Sequence, residues 1–456
     1  MLMGVAVATV LGAASCKKSV IPAAKGDSVL FSAGLGGSES GTKTIYTDSN
    51  ASDRRNAENI NWLSGDQIRI WCAECSEPTA EGYGGMDHCA DYTVTPESTA
   101  TQGKIAVNPG TVGLRWGEPE TTHCFYAVYP SPNTTGKGSD TGTFGTDPVF
   151  KFTGHIPAKQ TISGSLTPTG PDTEGKTTTV AAPDMSNLYM VTEPTSASPG
   201  TGGEGVFLSF RPISTAIQFT IENAMTAEGA KMQVESVKIM SDPKTGTPKN
   251  ISGAFEANLS GTWTKPVIAS IPAGSGIISE YINDYPACTE PADATGQSSA
   301  LTIDFKNTTA YTEGIAKGGR LQFTFFLLPT QSVDDLSFVI TRKEGESGTK
   351  TIKTRLAMAD GTGIPFPVHK KTYVKGILVP DGAQWVIQYS LDVNPWGDNP
   401  TDLPFFYPEG SQTTTVTPWG GEHSEGVPFF YPEGSEISTV TTWEDVECDP
   451  GFEKQS

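Results

Sequence analysis

The sequence lacks the charge balance and the motifs that mark several large classes of protein. Of its 456 residues, 31 are Lys or Arg and 51 are Asp or Glu, so the formal net charge is −20. A phosphate backbone is bound by clustered basic residues, and nucleic acid is therefore not an expected partner. The sequence has no nucleophile elbow and no zinc-protease motif, and its five histidines are scattered. We predict no cofactor, no metal and no catalytic residue, although glycosidase carboxylates leave no short motif.

Long helices with apolar periodicity are also missing. The sequence is instead rich in turn-forming residues, with 50 Gly and 33 Pro, between short alternating segments. This pattern is typical of short strands joined by turns. The clearest example is VFLSFRPISTAIQFTIEN at 206–223, which is interrupted at Pro212 because proline cannot donate to a strand ladder. We interpret 206–223 as the hinge between two β-domains. Further strands are predicted at 28–33, 125–130, 231–240 (with one bulge), 321–328, 371–379 and 385–393. Residues 60–71 are predicted as two strands joined by a Ser-Gly-Asp turn.

The length suits two or three domains of about 100–200 residues each. We predict an all-β chain with an N-terminal β-sandwich domain at 28–195 and a C-terminal β-sandwich domain at 206–393. A glycine-rich connector, 196–205, lies between them, and a tail covers 394–456.

The tail contains an internal repeat. Residues 403–419 and 427–443 are identical at 12 of 17 positions. Two copies are fewer than the three or more that a stacked repeat array needs. The repeats therefore pair with each other, pair with another partner, or form a loosely folded appendage.

The N-terminus resembles an export signal. Residues 1–15 are small and apolar, too short for a span of about 20 residues, and end in Ala13-Ala14-Ser15 before Cys16. This pattern indicates a bacterial lipobox, with lipidated Cys16 as the mature N-terminus and 17–27 as a tether. A lipid would anchor the chain to a membrane without spanning it. The alternative is an ordinary signal peptide with an incidental cysteine.

Four cysteines are grouped around one glycine-rich insertion: Cys72, Cys75, Cys89 and Cys124. Cys72-x-x-Cys75, followed by His88-Cys89, approaches the spacing of a zinc site. Because an exported compartment permits disulfides, we favour disulfides among these four over a metal site or thiols. The six cysteines other than Cys16 allow fifteen connectivities, and the sequence alone leaves the pairing open.

The adjacent pair Arg54-Arg55 lies in a polar, turn-rich segment at 48–59. It is either a solvated pair in a loop or the cleavage site of a trypsin-like protease, since exposed turn-rich segments are preferred sites of proteolysis. The pair separates the predicted first strand from the rest of the first domain.

Eight segments, taken in order, resemble the fimbrillin family of Bacteroidales pilins over roughly residues 16 to 393. They are AASC, DSVLFSAGLGG, TKTIY, INWLSGDQIRIW, FYAVYP, VFLSFRPISTAIQFTIEN, FFLLP and KTYVKGILVP. The resemblance implies two tandem transthyretin-like, Greek-key β-sandwich domains in a lipoprotein of the outer membrane and fimbrium. It also implies that a surface protease cuts after Arg54 or Arg55, and that the strand Ser28 to Ala33 then leaves. A strand of another pilin subunit would fill the gap, with 385–393, 413–417 and 438–442 as donor candidates.

Our leading hypothesis is therefore a fimbrial subunit, structural or at the tip, that polymerises by donor-strand addition and supports adhesion to a host or bacterial receptor. It is not expected to be an enzyme. The alternative is a monomeric, surface-anchored lipoprotein that binds glycans or host proteins. A secreted hydrolase without a recognisable motif is a third hypothesis. Sugar-stacking candidates for the alternative are Trp71, Trp116, Trp396, Trp419 and Trp443.

Overall fold

A computed structural model of the chain describes most residues between Lys25 and Asn394. The described ranges are 25–35, 60, 62–75, 88–97, 102–134, 137–142, 148–162, 166–172, 175–199, 205–225, 231–266, 284–292, 296–344, 348–356, 365–381 and 384–394. Within these ranges the chain is almost entirely β, which confirms the predicted fold class. The helices in these ranges are a 3₁₀ turn at Met185–Asn187 and one short α-helix, α1, at Thr309–Thr312. None of the helices described is long and apolar enough to cross a membrane.

Strands follow one another along the whole described chain. Those before residue 200 are β1 Phe31–Leu35, β2 Asp66–Trp71, β3 Cys89–Pro96, β4 Gln102–Val107, β5 His123–Tyr129, β6 Gly138–Asp140, β7 Lys151–Ile156, β8 Lys159–Gln160, β9 Thr167–Pro168, β10 Thr178–Ala181, β11 Met190–Thr192 and β12 Thr195–Ala197. Those after it are β13 Val206–Pro212, β14 Thr215–Asn223, β15 Lys231–Met232, β16 Val234–Ser241, β17 Gly253–Asn258, β18 Ala287–Thr289, β19 Ala300–Asp304, β20 Ile315–Ala316, β21 Arg320–Leu327, β22 Val333–Asp334, β23 Leu336–Glu344, β24 Gly348–Leu356, β25 Pro365–Phe366, β26 Lys371–Asp381 and β27 Gln384–Asn394.

An eight-stranded sheet closes into a ring. Its order is β11-β13-β1-β4-β3-β2-β5-β12, and β11 also pairs with β5. Met190 of β11 lies opposite Pro212 of β13 on one side and opposite Tyr129 of β5 on the other. Seven strands thus form a closed loop, and β12 continues along β5 where β11 ends. Because the sheet closes, the seven strands of the loop have no unpaired edge strand among them, as an open sheet would have.

A six-stranded sheet and a five-stranded sheet pack face to face as a β-sandwich. Their orders are β27-β26-β14-β21-β10-β9 and β24-β23-β16-β19-β8. The rings of Phe219 in β14 and Phe338 in β23 stack with centroids 4.5 Å apart, and Phe323 of β21 lies 6.0 Å from Phe338. Period-two alternation places these rings on the inner faces, where apolar burial drives the packing.

All four larger sheets combine strands from both sides of the predicted connector. The fourth has the order β18-β17-β7-β6, so that β6 and β7 precede the connector and β17 and β18 follow it. Segment 206–223 is divided as its interrupted alternation predicts. Its first part, β13, joins the ring, whereas β14 joins the six-stranded sheet. The segment therefore passes from one sheet to another at Ile213 and Ser214, and the domain limits themselves stay predictions.

One local prediction agrees with the strands observed, and two differ. The slip in 231–240 corresponds to a shift in the register between β16 and β23 at Val234 and Ser236. Residues 62–65 form a turn before β2 rather than a further strand. The alternation in β14 predicts a half-buried strand, but every residue of β14 is buried. At the C-terminal end of β14, the polar residue Glu222 is buried because it forms ion pairs with Arg320 and Lys176.

Candidate functional site

The candidate site consists of β1 and the surface that receives it. β1 is one of the strands that form the ring and lies between β13, to which it is parallel, and β4, to which it is antiparallel. Phe31 is opposite Val206 and Ile105, and Gly34 is opposite Ser209 and Gln102. The first strand of the described chain is thus hydrogen-bonded along both edges.

The inward side chains of β1 enter an aromatic core. Phe31 is 7% exposed and Ala33 is fully buried. The Phe31 ring meets Tyr92 and Phe125 edge-on, with centroids 5.3 Å away in both cases. Burying a side chain of this size contributes about 1.5–3 kcal/mol, and edge-on ring pairs add to it. A strand that fills this position therefore needs a large apolar group at 31 and a small one at 33.

The segment that leads into β1 is held by a loop at 114–118. Gly26 N–H donates to the Trp116 carbonyl at 2.8 Å, and Val29 N–H donates to the Leu114 carbonyl at 3.0 Å. In return, Trp116 N–H donates to the Asp27 carbonyl at 2.9 Å. An exposed ion pair between Lys25 and Glu118 lies at the start of this segment. Pairing therefore begins before the strand itself.

An exposed apolar pair lies beside the outward face of β1. Leu30, just before the strand, is 60% exposed, and Phe207, on the neighbouring β13, is 50% exposed. The Phe207 ring covers Gly34 so closely that a β-carbon on residue 34 would lie 2.1 Å from its Cζ atom. Phe207 can cover this position because glycine has no side chain.

Sequence reasoning identified β1 and β13 but missed β4. The prediction placed the first strand at 28–33, whereas the structure places β1 at Phe31–Leu35 and leaves Ser28 in an isolated bridge to Arg115. Strand β4 has one glycine and mostly exposed residues, so its alternation is weak. The signal that remains is Ile105, which is partly buried against the core.

Several predicted site residues lie outside the described residues. These are the signal peptide 1–15, the lipidation site Cys16, the cleavage candidates Arg54 and Arg55, and the tail from 395 onward with both repeats. Their roles stay predictions. The donor candidate 385–393 lies within β27, which pairs with β26 along its full length and so is a sheet strand in this chain.

The four grouped cysteines are present as thiols, at the end of the ring where β2, β3 and β5 lie side by side. Cys72 and Cys75 are buried around a turn, and the Cys72 Sγ lies 3.3 Å from Glu74 Oε2. The same carboxylate oxygen accepts from Cys124 N–H at 3.0 Å. Cys89 accepts from Arg69 Nη2 at 3.0 Å. Among the residues that the structure describes, no three His, Cys, Asp or Glu side chains come together in a way that could hold a metal ion.

Arg69 is the centre of a buried polar cluster that the sequence did not reveal. It is 2% exposed and lies on the outer face of the ring, where β6 covers it. Its guanidinium contacts Asp140 at 2.9 Å and Asp91 at 3.1 Å, and Trp71 Nε1 also donates to Asp140. Burial lowers the pKa of Arg69, whereas Cys89, Asp91 and Asp140 raise it, and the pKa is raised on balance. The cluster joins the ring to the four-stranded sheet.

Two of the five sugar-stacking candidates are core residues. Trp71 is fully buried and Trp116 is 6% exposed, with its ring edge-on to His123 at 4.9 Å. Neither presents a ring face to solvent, as a stacking platform requires. Trp396, Trp419 and Trp443 lie outside the described residues.

Together these features define an all-β protein whose first described strand is built into the interior of a closed sheet. No protein-family model and no curated protein matches the sequence. Solved structures with a distant likeness include several proteins from Bacteroides. A candidate cell adhesion protein of Bacteroides uniformis ATCC 8492 is 12% identical, with a TM-score of 0.40, over 81% of this chain and 98% of its own.

A second candidate cell adhesion protein, from Bacteroides ovatus ATCC 8483, is 11% identical with a TM-score of 0.41, over 82% of this chain and 99% of its own. A fimbrial protein from Bacteroides vulgatus ATCC 8482 is 12% identical with a TM-score of 0.32, over 71% and 92%. These are structures that the chain resembles at low identity. Its function therefore has to be inferred from its own strand arrangement.

Proposed function

We propose that this chain is a cell-surface fimbrial subunit, lipidated at Cys16, that assembles by strand addition. In this proposal a protease cuts after Arg54 or Arg55, β1 leaves the ring, and a strand from another subunit takes its place. The subunit is structural or lies at the fimbrial tip, where it supports adhesion. The observation that carries the proposal is the position of β1 between β13 and β4.

The strand arrangement supports this proposal energetically. Removal of β1 would open the ring and expose the facing main-chain groups of β13 and β4. It would also expose the pocket in which Phe31 contacts Tyr92 and Phe125. Unpaired edges and an apolar groove are a template for an added strand. An added strand regains about 1 kcal/mol for each ladder hydrogen bond, together with the apolar burial.

The position of the cut is also favourable. Residues 36–59, with Arg54 and Arg55, connect β1 to the rest of the ring, so a cut there separates the strand from everything after it. The next arginine, Arg69, is 2% exposed and inaccessible to a protease in the folded chain. The following one, Arg115, lies in the segment that pairs with residues 26–29.

The experiment is digestion of the folded full chain with an arginine-specific protease. We expect a new N-terminus at Arg55 or Asn56, release of the N-terminal fragment and a ladder of SDS-resistant oligomers. Arg54→Ala/Arg55→Ala should stay intact and monomeric, whereas the control Lys43→Ala, in the same connecting segment, should be cut and assemble like the wild type. A clean cut that releases β1 and leaves only monomer would contradict the proposal.

A further inference from the structure

The four grouped cysteines lie on two different faces of the ring. Neighbouring residues of paired strands share a face, and residues two apart along a strand share a face. Cys89 is the register partner of Trp71 and contacts Arg69, so it lies on the outer face. Cys124 is two residues from Tyr126, which is another register partner of Trp71, and also lies on the outer face.

Cys72 lies on the opposite, inner face. It follows Ile70 by two residues, and both side chains are fully buried. Tyr92, on the adjacent strand β3, also points inward, because it is the register partner of the buried Ile68 and its ring meets that of Phe31 edge-on. The sheet itself therefore separates Cys72 from Cys89 and from the side chain of Cys124.

Cys75 is brought back to Cys72 by a turn. Ala73 and Glu74 form the turn, and Cys75 is 3% exposed. Both thiols are buried at this turn, and burial together with the neighbouring Cys75 raises the pKa of the Cys72 thiol. The ends of a four-residue turn are less than about 7 Å apart between Cα atoms, and disulfides span about 4.4–6.8 Å between Cα atoms. The turn therefore brings the two cysteines to about the Cα separation that a disulfide spans.

We propose that Cys72 and Cys75 are an intramolecular disulfide site, which closes the turn at the end of β2 in the exported protein. The oxidant is a disulfide donor, such as glutathione disulfide or an exported thiol oxidoreductase. One cysteine thiolate attacks the donor, which forms a mixed disulfide and releases one donor thiol. The other cysteine thiolate then attacks the protein sulfur of the mixed disulfide, which forms the Cys72–Cys75 bond and releases the second donor thiol. Two electrons and the two thiol protons pass to the donor.

Oxidation belongs to the folding stage. In the folded chain, burial is the main cause that raises the pKa of the Cys72 thiol far above its usual range, and Cys75 and Glu74 add to it. The thiolate is the attacking form, so the folded dithiol should react slowly. Once formed, the bond would fix the turn whose Glu74 carboxylate binds Cys124 N–H.

Peptide mapping tests the site, because the sequence separates all four cysteines. Trypsin cuts after Arg69, and a glutamate-specific protease cuts after Glu74, Glu81 and Glu120. The full chain is refolded with reduced and oxidised glutathione, denatured, alkylated and digested without reductant. We expect Ile70–Glu74 linked to Cys75–Glu81, with Cys89 and Cys124 alkylated. Alkylated Cys72 and Cys75, or a link from either one to Cys89 or Cys124, would overturn the proposal.

Variants provide a second readout. Cys124→Ser should leave the Cys72–Cys75 link in place. Cys72→Ala should leave Cys75 alkylated rather than linked to another cysteine. If the folded protein is first reduced, oxidation by glutathione disulfide should be at least tenfold slower than in denaturant, since burial suppresses the thiolate. Fast oxidation to a Cys72–Cys89 or Cys72–Cys124 bond in the folded state would count against the assigned faces.

Discussion

The carbonyl oxygen of Glu74 lies 2.0 Å from the position that a β-carbon on residue 117 would occupy. Only glycine fits at this contact, because the neighbouring atom belongs to the backbone and cannot rotate away. Gly117 N–H also donates to His123 Nε2 at 2.8 Å. The contact fixes the turn after β2 against the loop that holds the lead-in to β1.

Gly117→Ala should therefore destabilise the protein by about 1–3 kcal/mol, as overpacking of a close contact typically does. The control is Gly170→Ala, because a β-carbon on Gly170 meets nothing within 4 Å. Denaturant unfolding measures both. An equal and small change in the two variants would show that the turn at Glu74 can move without cost.

Phe31→Ala should lower the free energy of unfolding by about 3–5 kcal/mol, the usual cost of removing a buried phenyl ring. The ring is 7% exposed and contacts two other aromatic rings. Leu30→Ala is the matched control on the adjacent residue, which is 60% exposed, and should change stability by less than about 0.5 kcal/mol. Urea denaturation compares them, and similar losses would contradict the inward placement of Phe31.

Glu222→Gln should destabilise the protein by about 3–5 kcal/mol, because it removes one partner of a buried ion pair. Glu222 is 2% exposed, and its Oε2 atom accepts from Arg320 Nε at 3.0 Å. The control is Glu97→Gln, in the exposed pair that Glu97 forms with Lys104 at 3.8 Å. Removing that pair should cost about 0–1 kcal/mol. Thermal unfolding measures both variants. The same loss of stability in each would contradict the conclusion that the buried ion pairs of Glu222 stabilise the fold.

His369 should make stability depend on pH between about 6.5 and 4. Burial lowers the pKa of His369 to about 4, and its Nδ1–H donates to the Ile213 carbonyl. The unfolded chain binds the proton more readily, with a pKa of about 6.5, so stability is complete above pH 6.5 and falls as the pH drops towards 4. The loss amounts to about 3 kcal/mol.

The test for His369 is a series of denaturation curves from pH 8 to pH 4. His369→Asn suits the positive φ of 57° at this position, which asparagine tolerates. The difference in stability between wild type and variant should shrink or reverse as the pH falls, because the variant has no imidazole to protonate. A difference that stays constant across this range would contradict the buried, neutral imidazole.

The strands with strong alternation could be predicted from the sequence, and their partners could not. Segment 206–223 shows its period of two and its break at Pro212, so both strands and the break between them follow from the local pattern. The pairing of β11 with both β13 and β5 depends on residues far apart along the chain, and no local pattern encodes it. Strand β4 was missed because its apolar residues, Ile105, Ala106 and Val107, are consecutive and show no alternation.

For the grouped cysteines as well, the residues could be picked out from the sequence but their spatial partners could not. The sequence identified Cys72 and Cys75 as a pair close in the chain, but it could not exclude Cys89 or Cys124 as partners. That distinction needs the register of β2 with β3 and β5, which sets the face of each thiol. The buried cation of Arg69 was also unpredictable, since its carboxylate partners are 22 and 71 residues away.

β1 has one parallel neighbour and one antiparallel neighbour. A strand inserted here in the opposite direction would pair antiparallel with β13 and parallel with β4. It would still have one parallel and one antiparallel neighbour. The main-chain hydrogen bonds to β4 and β13 would therefore stabilise a strand running in either direction by almost the same free energy. The direction of a strand in this position is therefore set by side-chain size. The space beside Tyr92 and Phe125 accepts a large side chain at residue 31, whereas the fully buried position of Ala33, two residues later, accepts only a small one.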